Sequence, residues 1–321
     1  VTLTSWKHLH RLESFYQYQC SGKMKPKILL IGGWGWSATS PLVYTLQRNA
    51  KYAHFGYGKT FRYLGTSNNK HLKIYNQICD GTWENFQKGK SGTHHMNHTI
   101  DLEPLHDFSL DHLHKLMSGE PTVPKYMEFY HELHDHVISK GYKSLGDGCM
   151  GNRKGFTPEQ EIEYSEALKS EFDVKVLLIA RDPVRRAFSH FLYMLAFHKR
   201  KGIIAPRQIK FPNYTDDLHT IRKYYDNVYV TVMEELWEGD GARELSQFLD
   251  HPITNLWKNL YAPDRSHLIE YDEDVPCQSQ GQNLAVLTPE IYDYYRKKYD
   301  WIYRSWIREF GSLPLYWGKP L

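Results

Sequence analysis

The sequence predicts an α/β fold, a single domain in which a central parallel sheet of about four or five strands is flanked by helices. Three observations predict it. Residues 27–31 (KILLI) and 174–180 (VKVLLIA) are short apolar runs rich in branched side chains, the pattern of strands buried on both faces. Each gives way at once to turn or capping residues and then to a helical pattern. Residues 158–172 form an amphipathic helix, opened by Thr157, Pro158 and two acids, that leads straight into the second strand.

Taken in order, residues 1–26 carry aromatic and basic side chains without a firm period and read as an N-terminal arm; residues 27–321 form the domain. After the strand at 27–31, Gly32 to Trp36 makes a tight turn, and 37–50 is a helix with Ser37 near its cap and Pro41 in its first turn. Strand, glycine turn and helix N-terminus gather backbone N–H groups at a positive dipole end, which suits phosphate or sulfate. Residues 60–64 (TFRYL) read as a strand. Residues 71–138 are rich in histidine and are expected to hold an insertion plus helices. Within them His94, His95 and His98, and then His131, His134 and His136, invite a metal reading. The second set is H-E-L-H, one residue short of H-E-x-x-H, and no cysteine is placed to help, so solvated histidines and no metal are expected. Residues 142–152 (YKSLGDGCMGN) hold Gly146 and Asp147.

The stretch around residues 174–198 is the most informative. Asp182 can cap a helix whose first turn holds Pro183, and Val184, Ala187, Phe188, Phe191, Leu192 and Leu195 follow at helical spacing. Arg181 therefore sits at the carboxyl end of a buried strand, the edge where open α/β sheets bind ligands. Ser189 lies about two turns into the helix and its side chain points back toward the helix start, so the two could grip one anion. A basic connection at 198–210, a strand at 227–233, a helix at 242–249 and an aromatic-rich helix at 287–310 complete the chain.

Composition bounds the partners. The 321 residues carry a formal net charge of +3, too mild to support nucleic-acid binding, although small polyanions remain suitable ligands. Cys20, Cys79, Cys149 and Cys277 are widely spaced, which argues against a zinc ribbon or a disulfide scaffold and for a reducing compartment; a cytoplasmic location is expected. No run approaches the ~18 to 20 apolar residues of a membrane span. The chain starts at Val1 rather than methionine, which leaves room for a removed targeting or anchoring segment.

The string Arg181-Asp182-Pro183-Val184-Arg185-Arg186-Ala187-Phe188-Ser189-His190 resembles the 3′-phosphate-binding motif of sulfotransferases that use 3′-phosphoadenosine 5′-phosphosulfate (PAPS), carbohydrate and bacterial types among them. The resemblance implies a sulfotransferase fold related to P-loop kinases, PAPS as co-substrate, 3′-phosphoadenosine 5′-phosphate (PAP) as product, no metal, and Arg181 and Ser189 on the nucleotide's 3′-phosphate. The family's 5′-phosphosulfate loop, K-S-G-T-T, aligns with Trp36-Ser37-Ala38-Thr39-Ser40. Hydroxyls and backbone fit there, but Trp36 stands where the family has a lysine that stabilises the leaving phosphate. Residues 53–60 resemble a second family stretch in which Lys59 matches a lysine and Thr60 replaces a glutamate that acts as base. Lys59 is then the expected substitute cation, His54 the first candidate base and Asp147, in a stretch (142–152) that looks like the family's turn after a strand, the second; Asp147 is otherwise a turn residue. Loop likenesses to carbohydrate sulfotransferases point to a glycan or glycolipid acceptor.

Two rivals stand beside this reading. Ala53 to Thr60 also matches a relaxed Walker A string with alanine at its first glycine, which would make the chain a nucleotide kinase. The missing lysine and glutamate would instead suit a non-catalytic PAP- or PAPS-binding protein on the same fold.

Overall fold

A computed structural model of the chain describes residues 24–34, 42, 45, 46, 51–54, 122–147, 158–191, 211, 213–238, 240–253 and 287–319. Apolar, β-branched runs form the sheet, and the helices between them cover both of its faces. The strands are β1 (Lys27–Gly33), β2 (Tyr52–His54), β3 (Ser144–Asp147), β4 (Asp173–Ala180) and β5 (Val228–Val232). The helices are α1 (Val123–Ser139), α2 (Pro158–Glu171), α3 (Tyr214–Arg222), α4 (Met233–Glu238), α5 (Gly241–Leu249), α6 (Pro289–Lys298) and α7 (Asp300–Phe310). Helical backbone also runs over residues 183–191 and is present at Leu42, Thr45 and Leu46.

The strands lie in the order β2-β3-β1-β4-β5, and every neighbouring pair is parallel. Side chains alternate across the sheet as the two-residue period requires. Ile28, Leu30, Val176 and Leu178 pack with α1, α2 and α3 on one face, whereas Leu29, Ile31, Leu177 and Ile179 pack with Leu42, Leu46 and α5 on the other. Fully burying each of these side chains is worth roughly 1.5 to 3 kcal/mol. A third cluster gathers Ala180, Val184, Tyr214, Val232, Tyr292, Tyr303, Trp306 and Trp317 beyond the carboxyl ends of β4 and β5.

The topology dictates where a ligand would sit. The chain leaves β1 for β2 on one side of the sheet and leaves β4 for β5 on the other, although β1 and β4 are neighbours. Their carboxyl ends therefore flank a topological switch point, the place where open α/β sheets form a crevice.

Several elements differ from the sequence reading. β1 continues through Gly32 and Gly33, so the turn begins later, because both glycines keep their place opposite Leu178 and Ile179 of β4. The strand β2 occupies 52–54 at the edge of the sheet with Tyr52 buried, and its three residues (YAH) are too few to show an apolar run. The expected strand at 60–64 and residues 1–23 of the N-terminal arm expected over 1–26 lie outside the described residues, as do the four cysteines. The single helix expected over 287–310 is two helices. Tyr299 leaves helical geometry at φ −112° and ψ 28°, where its ring stacks on Phe211 at 3.6 Å. Asp300 then starts α7 between Arg296 and Arg304, pairing with both.

Candidate functional site

Local sequence builds the corner at the end of β4. Asp182 accepts from the backbone N–H groups of Val184 (3.1 Å) and Arg185 (3.0 Å) with Oδ1, which caps the helix that starts at Pro183. Its carbonyl takes the first helical bond, from Arg186 at 2.8 Å. This fixes the direction of the helix that carries Ser189. Arg181 Nη1 donates to Ser189 Oγ at 2.8 Å, and Ser189 is only 6% exposed. Arginine and serine thus converge at the switch point, presenting guanidinium N–H groups beside a helix N-terminus.

Distant segments lock this corner. Asp182 Oδ2 accepts from the phenols of Tyr292 (2.8 Å) and Tyr303 (3.1 Å) and from the Gly318 N–H (3.2 Å). The Asp182 N–H donates to Glu234 Oε1 at 3.1 Å, while Glu234 Oε2 accepts from the Trp317 indole at 3.1 Å. Tyr214 donates its phenol hydrogen to the Arg181 carbonyl. Across the crevice, Trp34 at the end of β1 donates its indole N–H to Asp217 and meets the Tyr214 ring edge-on at 4.4 Å.

Burial shapes the electrostatics. Desolvation pushes the Glu234 carboxyl above its usual range, partly offset by the nearby Arg181 cation and by its hydrogen bonds from Trp317 and Asp182. Burial likewise lowers Arg186, and it raises the phenols of Tyr214, Tyr292 and Tyr303 so far that they act only as neutral donors.

The other predicted residues distribute along the same edge. Asp147 is the last residue of β3 rather than a turn residue, and it is 1% exposed. Its Oδ2 accepts from Tyr130 and from Tyr126 (3.3 Å), and the Tyr130 hydroxyl lies 3.2 Å from that of Tyr164. His54 closes β2 opposite Gly146, one strand from Asp147; only its backbone is described. The 53–60 string therefore begins inside an edge strand rather than after one. Trp36, Ser37, Ala38, Thr39, Ser40 and Lys59 lie outside the described residues. Among the histidines, His131 pairs with Glu171 at 2.7 Å and stacks on Phe172, and His134 lies edge-on to the same ring. Neither they nor any other described residues group as a metal site. No described helix is long and apolar enough to cross a membrane.

The sequence alone gives Glu234, Tyr214 and Trp34 no role at this corner, and Asp182 only that of a helix cap. Set against models of known families and against curated protein sequences, the chain matches none.

Proposed function

We propose that the chain transfers a sulfuryl group from PAPS to a hydroxyl or amine of an acceptor, a glycan or glycolipid, on a sulfotransferase-type fold. The observation that carries the reading is the Arg181–Ser189 pair, 2.8 Å apart at the carboxyl end of β4 beside the switch point. A guanidinium fork and a hydroxyl from the helix that follows it form a phosphate grip, and the surrounding string is the one that resembles the 3′-phosphate motif. The 36–40 segment comes directly after β1 and Trp34 in the sequence, where the resemblance sets the 5′-phosphosulfate loop.

In this reading the acceptor oxygen or nitrogen attacks sulfur in line as the bond from sulfur to the 5′-phosphate oxygen breaks. The acceptor's proton passes to a base, and PAP leaves with the charge on its 5′-phosphate. Catalysis of this type is mostly positioning and charge stabilisation, here assigned to the 36–40 loop and Lys59, with His54 or Asp147 as base.

The test is the affinity of PAP against an analogue lacking the 3′-phosphate and against ATP with magnesium, followed by an acceptor screen with radiolabelled PAPS. Equal affinity for PAP and the analogue would remove the reading. PAP binding without turnover would favour the binding-only alternative, which Trp36 and Thr60 motivate. Preference for ATP with magnesium would favour the kinase.

A further inference from the structure

We propose that Glu234 is the internal counter-ion of the Arg181 anion site, and that an anion entering this site brings a proton onto Glu234. The inference rests on the phosphate-grip reading of Arg181 and Ser189 and adds a residue that governs it. Its basis is the register of β4 and β5. Ala180 lies opposite Val232, and two residues past each of them the Asp182 N–H meets the Glu234 carboxylate at 3.1 Å. Trp317 holds the second oxygen, also at 3.1 Å. Two N–H donors on two oxygens fix the carboxylate against the peptide that joins Arg181 to Asp182.

Glu234 is 9% exposed and shares its surroundings with few charges. Arg181 is the cation that acts on it, from the end of β4, and Arg186 lies near Arg181. The acids around it are Asp182 on the same corner and Glu235 on its own helix, and the Tyr214 phenol approaches from α3. Tyr292 and Tyr303 reach Asp182 with neutral hydroxyls. In the anion-free protein the Arg181 guanidinium offsets the Glu234 charge. A phosphate or sulfate on Arg181 must share that same cation, which brings a second negative charge near a buried carboxylate. The carboxyl is the group that yields, since burial already disfavours its ionised form. The balance is one proton taken from solvent onto a carboxylate oxygen for each anion bound at full coupling, with no other bond changed.

The probe is inorganic sulfate, whose charge is constant over the neutral range, titrated from about pH 5 to about pH 8. The expected result is affinity that falls as pH rises, approaching tenfold per unit where coupling is complete. Proton uptake should appear as a difference between calorimetric heats in buffers of unlike ionisation enthalpy. Glu234→Gln should bind sulfate more tightly at neutral pH and lose the slope; an unchanged slope in this variant would overturn the proposal. Trp317→Phe removes a donor that favours the carboxylate without altering charge, so it should move the midpoint upward. If Glu234→Gln does not fold, an unmoved midpoint in Trp317→Phe overturns the proposal by itself. Failure of the natural chain to bind either sulfate or PAP would remove the phosphate-grip reading, and this inference with it. Binding with Glu234 indifferent removes the inference alone.

Discussion

Tyr303, on the last helix, donates its hydroxyl hydrogen to Asp182 at 3.1 Å across 121 positions of sequence. With Tyr292 and the Gly318 N–H, it ties the C-terminal segment to the residue that follows Arg181. A buried hydrogen bond to a charged group is worth about 1.5 to 3 kcal/mol. Tyr303→Phe keeps the ring and loses only this bond, so it should destabilise the fold by that amount in urea denaturation. A loss below about 0.5 kcal/mol would mean that Tyr292 and Gly318 suffice to satisfy the carboxylate.

Arg181→Ala should weaken PAP far more than an analogue lacking the 3′-phosphate, because only PAP loses a charge-assisted fork, worth ~1.5 to 3 kcal/mol per bond. Ser189→Ala should act in the same direction but less, since a neutral hydroxyl makes a weaker bond. Equilibrium titration of both nucleotides checks the pair. Equal weakening of the two by Arg181→Ala in a folded variant would sink the assignment.

This corner was legible because its information is local. A strand, a cap, a first-turn proline and a serine two turns on lie within sixteen consecutive positions, 174–189, and each follows from residue type and spacing. The rest depends on contacts that sequence separation hides. Nothing near Asp147 announces that Tyr126 and Tyr130 reach it from α1, and nothing near Glu234 announces that β5 registers with β4 so as to bring it under Asp182. The break at Tyr299 coincides with a ring contact to Phe211, from a separate segment. β2 is short and sits at an edge, so it lacks the apolar run that marks β1 and β4.

Stability at low pH should depend on the link between α3 and α7. His219 (2.7 Å) and Arg222 both bond Glu309, and these bonds, His219 first, hold its carboxyl below the usual glutamate value against a smaller opposing effect of burial. A lowered folded-state value means a contribution present above the usual range and lost as pH falls through the lowered one, roughly below pH 4.3. Glu309→Gln should therefore lower the thermal midpoint at neutral pH and flatten the acid limb of a midpoint-against-pH curve. Because these side chains reach solvent, the effect should not exceed about 1 kcal/mol. An unaltered acid limb in the variant would remove Glu309 from the account.

The last prediction rests on the proposed sulfuryl-transfer reading and concerns the lysine and glutamate of the resembled motifs, where this chain has Trp36 and Thr60. Trp36 cannot supply a positive charge and Thr60 cannot take a proton near neutral pH, so an active enzyme needs other groups for both tasks. Lys59 lies in the matching segment, and a lysine's flexible stem reaches a phosphate from more than one backbone position. For the base, the sheet order narrows the choice by position. His54 and Asp147 end the adjacent strands β2 and β3, so both stand on the carboxyl edge that bears Arg181, on the opposite side of β1 from it. Asp147 is buried and already accepts from two phenols, whereas an imidazole with a pKa near ~6.5 is a competent base at neutral pH. Lys59→Ala should then lower turnover by ~10² or more with PAP affinity nearly unchanged. His54→Ala should displace the acidic limb of the pH–rate profile, while Asp147→Asn should chiefly lower stability. Unchanged turnover in Lys59→Ala would remove the substitute cation, and an unmoved acidic limb in His54→Ala together with a moved one in Asp147→Asn would exchange the two roles.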